Sequence, residues 1–70
     1  MRAQYSGRVA TFDEHAGRGE LEAHGGLRFP FHCTAIADGT RTIAPDTAVR
    51  FRLAPGPLGA LEAIKITPAD

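Results

Sequence analysis

A chain of 70 residues, 43% hydrophobic and 23% charged, suffices for one domain, near the lower length at which a single core holds a fold, and is too apolar to be disordered. Eight basic and eight acidic residues cancel to zero net charge, which excludes capture of a polyanion by the field of the whole molecule. One cysteine, Cys33, excludes an internal disulfide framework and reads as a half-buried thiol in a reducing cytosol.

No apolar run approaches the ~20 residues that span a bilayer, and the N-terminal MRAQYSGRVA has no apolar core of a leader peptide. The expectation is a cytoplasmic monomer with no membrane partner. No window keeps a helical apolar period for more than about two turns, whereas short alternating runs between turn residues recur.

In chain order, Tyr5 to Phe12 reads as a first strand with Val9 inward. Arg18 to Glu22 reads as a second, with Leu21 inward and Arg18 and Glu20 on the opposite face. His24-Gly25-Gly26 is a turn whose residues suit positive φ. In LRFPFHC, Phe29 and Phe31 share one face, and Arg28, Pro30 and His32 the other. Pro30 cannot donate to a ladder, so this strand belongs at an edge or a bulge. Thr34 to Ala37 reads as a single helical turn closed by Asp38-Gly39. AVRFRL is the sharpest strand, with Val49, Phe51 and Leu53 inward and Arg50 and Arg52 outward. PGPLG is a loop, and ALEAIKI a last strand with Ile64 and Ile66 inward. Five short strands and one long connection, about Cys33 to Asp46, predict an all-β, five-stranded antiparallel barrel over residues 1–70. Its expected core is Val9, Leu21, Phe29, Phe31, Val49, Phe51, Ile64 and Ile66.

The order of Gly7, Val9, Phe12, Gly17, Gly19, Leu21, Gly25, Gly26, His32, Thr34, Ala35, Ile36, Gly39, Arg41, Thr42, Ile43, Val49, Phe51 and Gly56 resembles the bacterial cold-shock domain, a small OB-fold barrel. The match runs over nearly the whole chain, with a one-residue shift in the last strand. Arginine supplies seven of the eight basic residues, in keeping with a GC-rich bacterial genome. The resemblance accounts for the glycines of HAGRGEL, which correspond to the family's K-G-F-G-F-[IV] strand and allow tight curvature.

The departures bear on function. The family binds single strands by stacking bases on surface aromatics. Its K-W-F-N reads here as Ala10-Thr11-Phe12-Asp13. Its two phenylalanines around the second glycine become Arg18 and Glu20, and its V-F-V-H-F becomes Phe29-Pro30-Phe31-His32-Cys33. Its aromatic in G-F-R-T-L becomes Thr40. Of the platform, Phe12 and His32 remain.

The resemblance implies a cold-shock-like protein that binds single-stranded RNA or DNA weakly or with altered specificity, through Phe12, Arg18, Arg28 and His32. The alternative is a protein-interaction module on an OB scaffold that has lost nucleic-acid binding. Arg18, Arg28, Arg50 and Arg52 suit phosphate tracking or base stacking. They suit equally a solvated face paired with Glu20, Glu22 and Asp13. His32 reads either as a stacking group or as a plain surface histidine.

His15, His24, His32 and Cys33 match no zinc spacing, and the G-x-G of HAGRGEL lacks the third glycine and following helix of a dinucleotide site. Cys33 and His32 are expected on opposite sides of their strand, a poor geometry for nucleophilic catalysis. The expectation is therefore no cofactor, no metal and no enzymatic activity.

Overall fold

Alternation of apolar and polar residues produces strands close to where the sequence predicts them. The computed structural model describes residues 4–57 and 59–69; Met1 to Ala3 of the N-terminal stretch and Leu58 of PGPLG lie outside the described residues. The strands are β1 (Tyr5–Asp13), β2 (Arg18–Ala23), β3 (Arg28–His32), β4 (Ala48–Pro55) and β5 (Leu61–Pro68). Short 3-10 turns occupy His24–Gly26 and Cys33–Ala35. The second of these lies one residue earlier than the helical turn expected from Thr34. At the first, Gly25 and Gly26 take φ of 85° and 83°, as a turn between antiparallel strands demands of residues without a Cβ.

The strands form one antiparallel sheet in the order β3-β2-β1-β4-β5. β3 returns against β5, and a parallel bridge between Ile36 and Ile66 closes the sheet there. The Ala37 N–H donates to the Ile66 carbonyl at 2.9 Å across the same closure. Pro30 lies on β3, which among the described residues forms a ladder with β2 alone, so its missing N–H breaks no hydrogen-bond row.

Val9, Leu21, Phe31, Ile36, Val49, Phe51, Ala63 and Ile66 are buried inside the barrel. Phe12, Phe29, Ile43 and Leu53 pack against this core while half-buried. Phe29 was expected inside. It is half-buried, with its ring centroid 6.3 Å from that of Phe51.

Ile64 is a correction, because Ala63 takes the inward place and Ile64 is only half-buried. The cause is a bulge. Arg52 pairs with Ile64 but Arg50 pairs with Thr67, so Phe51 faces both Lys65 and Ile66, and the inward residues of β5 are three apart instead of two. Lys65 absorbs the extra residue in the left-handed region, at φ 51°.

A lysine there carries a Cβ clash that glycine lacks. Lys65→Gly is expected to raise the unfolding free energy by about 0.5–1 kcal/mol, the left-handed penalty less the chain entropy of glycine. Urea denaturation measures the change, and a loss of stability would contradict the bulge.

Candidate nucleic-acid interface

The three strands β1, β2 and β3 present one outer face whose residues are ordered by register. Arg8, Glu22 and Arg28 form one row across the sheet, Thr11, Glu20 and Pro30 a second, and Asp13, Arg18 and His32 a third. All nine are exposed. Arg18 and His32 are direct cross-strand partners, close enough for their side chains to act on one ligand.

His32 is oriented by the turn that follows it. The Thr34 N–H donates to His32 Nδ1 at 3.3 Å, and the Thr34 hydroxyl lies 3.1 Å from the same nitrogen. A backbone N–H can only donate, so Nδ1 accepts and the proton of the neutral ring belongs on Nε2. The imidazole is thus held at one edge, leaving Nε2–H and the ring face for a partner.

The structure separates the four residues that the sequence grouped. Arg28 shares the outer face but lies at its far end, between Glu20 at 3.4 Å and Glu22 at 3.8 Å. Exposed pairs of this kind contribute at most about 1 kcal/mol each, yet together they offset the cation. Asp13 is also occupied, since its carboxylate accepts from the N–H groups of His15 at 2.9 Å and Ala16 at 3.1 Å and so caps the β1–β2 turn.

Phe12 is a correction. Its ring lies on the core side, stacked on Phe31 with centroids 5.8 Å apart and planes 8° from parallel. A register shift between Val9 and Thr11 turns it there. Strict alternation from Val9 would send Thr11 inward and Phe12 outward; the extra residue, Ala10, reverses both.

Cys33 is half-buried, as expected, but it does not point away from His32. It begins the 3-10 turn instead of continuing the strand, which brings Sγ to 3.8 Å from His32 Nδ1. His15, His24 and His32 stay apart, and among the described residues no three His, Cys, Asp or Glu side chains converge.

Two residues that the sequence did not single out complete the surface. Pro57 and Glu62 line a hollow together with Arg18, Pro30, Phe31 and His32. A second hollow shares His32 and Glu62 and continues toward Gly39 and Lys65. No local signal marks Pro57 or Glu62, because only the closure of β3 against β5 brings them to His32.

In the loop beyond, Asp38 accepts from the Thr40 N–H at 3.0 Å and from its hydroxyl at 2.9 Å. The backbone bond first, then the hydroxyl, holds the Asp38 carboxyl below the 3.8 of an ordinary aspartate. A depressed pKa means that the turn is favoured above the unfolded value and released as pH falls through the folded one. The Thr40 amide resonance should therefore titrate with a midpoint below 3.8. A midpoint at or above the ordinary value would show that the two bonds are absent in solution.

A closed five-stranded antiparallel barrel with strands in this order has the cold-shock type of OB-fold. Among solved structures the chain is similar to Drosophila Unr CSD456, a cold-shock-domain protein, at 28% identity and a TM-score of 0.79. The match covers 97% of this chain and 27% of that one, so the chain spans about a quarter of that structure's length. No protein-family model and no curated protein matches the sequence.

Proposed function

We propose that the domain binds single-stranded RNA or DNA weakly, as a non-catalytic, monomeric, cytoplasmic module of bacterial cold-shock type. The observation that carries this reading is the cross-strand pair of Arg18 and His32 on the outer face of a cold-shock barrel, opening on the hollow that both line. Arginine supplies a phosphate contact or a stacking plane, and the fixed imidazole supplies a ring face. Weakness follows from the middle row. Thr11, Glu20 and Pro30 offer no aromatic ring, and each missing base stack forgoes roughly 1–3 kcal/mol.

Titration of labelled oligothymidylate and of a mixed-sequence RNA, at low and moderate salt, tests the reading. Binding should be detectable at low salt and fall steeply as salt rises, because arginine–phosphate contacts dominate. Arg18→Ala should weaken every strand by about the same factor and lower the salt slope by about one. Failure to bind any strand at low salt, or indifference to Arg18→Ala, refutes it.

A second reading is a protein-docking module. It is favoured by the Glu20–Arg28–Glu22 cluster, a mixed-charge patch better matched to a protein surface than to a phosphate chain. Under this reading neither RNA nor DNA binds, and charge reversal at Arg28 leaves the absence of binding unchanged.

A further inference from the structure

The hollow beside Arg18 and His32 has a feature that phosphate binding does not explain. Glu62 lines it together with Arg18, and lines the continuing hollow together with Lys65. Its side chain lies against the backbone of Gly56, in the space that a Cβ there would take. Glu62 as a residue is half-buried, and its carboxylate makes no hydrogen bond or ion pair with any described residue. An acid here repels a phosphate chain. It suits a ligand that brings hydrogen-bond donors between two cationic flanks.

The remaining walls fit a flat ring. Gly19 and Phe31, whose ring itself is buried in the core, lie beneath it, and Pro30, His32 and Pro57 present rigid or planar faces around it. A carboxylate accepts two parallel hydrogen bonds, and among the bases guanine alone presents two adjacent donors, N1–H and the N2 amino group, on one edge. Thymine and uracil offer a single N–H between two carbonyl oxygens, which the carboxylate repels. Cytosine and adenine offer one amino group beside a ring acceptor.

Resting on the single-strand reading above, we propose that this hollow is a base pocket selecting guanine. Glu62 accepts from the guanine Watson–Crick edge, His32 and the prolines bracket the ring, and Arg18 and Lys65 take the flanking phosphates. The specificity is then the reverse of a thymine-stacking platform.

The experiment compares hexathymidylate with the same strand carrying one guanine, one hypoxanthine or one cytosine at the third position. Native protein should bind the guanine strand at least about tenfold tighter than hexathymidylate, as a bidentate base contact implies. Hypoxanthine, which lacks the N2 amino group, should lose most of that gain. The near-isosteric Glu62→Gln should abolish the preference while hexathymidylate binds as well or better, since a repelling charge has gone. Arg18→Ala should weaken all four strands equally. If the strands bind without preference, or the preference survives Glu62→Gln, the pocket assignment is overturned and the single-strand reading stands. If no strand binds, both fall together.

Discussion

Gly19→Ala is expected to unfold most of the domain at room temperature or to lower its Tm by at least about 12 °C. Gly19 lies in β2 between Phe12 of β1 and Phe31 of β3 in the same register row, under the stacked pair of rings. A Cβ there would fall on the Thr11 carbonyl oxygen and within 3.0 Å of Phe12 Cα and of Phe31 Cζ. Two of those atoms are backbone and the third belongs to a buried ring, so relief requires opening the β1–β2 ladder. Overpacking alone costs about 1–3 kcal/mol. With the disrupted ladder the loss approaches 3 kcal/mol, comparable to the ~3–5 kcal/mol that one core supplies to so small a fold. Each kcal/mol shifts Tm by about 4–8 °C at this size.

Gly25→Ala supplies the contrast. Its Cβ would meet nothing within 4 Å, although φ is 85°, so backbone strain alone operates and the cost is about 1–2 kcal/mol. Thermal melts followed by circular dichroism separate the two. A Gly19→Ala variant melting within a few degrees of the native chain would show that the close approach of β1, β2 and β3 is wrong.

The residues that sequence reasoning read correctly are those whose partners are two apart. Val49 and Phe51 in β4 alternate cleanly and are buried, and Phe31 faces the core while Pro30 and His32 face out. Pro30 announced an edge strand because a missing N–H has only one comfortable place in a sheet. The misread residues, Phe12 and Ile64, both follow from bulges. In β1 the extra residue precedes Thr11, and in β5 it is Lys65. A bulge inverts the faces of everything beyond it, and neither Ala10 nor Lys65 advertises one. Lysine least of all does so, since the left-handed region favours glycine and asparagine.

The site was legible only within the sheet. Arg18 and His32 could be placed on one face from alternation and the order of the hairpins, without knowing the register that makes them neighbours. Glu62 and Pro57 could not, because 30 and 25 residues respectively, and a barrel closure, separate them from His32 in the chain. Arg28 was visible as a cation but not as a paired one; that depends on Glu20 and Glu22 standing one residue apart on the same face of β2, opposite it.

The outer face also predicts how a strong single-strand binder can be made from this chain. Thr11, Glu20 and Pro30 form one exposed row across β1, β2 and β3, at positions where the cold-shock resemblance calls for aromatic rings. The triple variant Thr11→Trp, Glu20→Phe, Pro30→Phe should fold, since none of the three native side chains is buried. Two new base stacks at no less than about 1 kcal/mol each tighten binding ~30-fold or more. Removal of Glu20 adds to this by freeing Arg28 from its nearer carboxylate, 3.4 Å away. The chain has no tryptophan of its own, so quenching of the introduced indole by oligothymidylate reports binding directly against a Thr11→Trp control. Three adjacent rings also enlarge the exposed apolar patch, and the variant should associate at high concentration. A folded triple variant that binds no tighter than its control would show that Glu20 lies off the path of the strand. Arg18, His32 and the Glu62 hollow would then carry the interface alone.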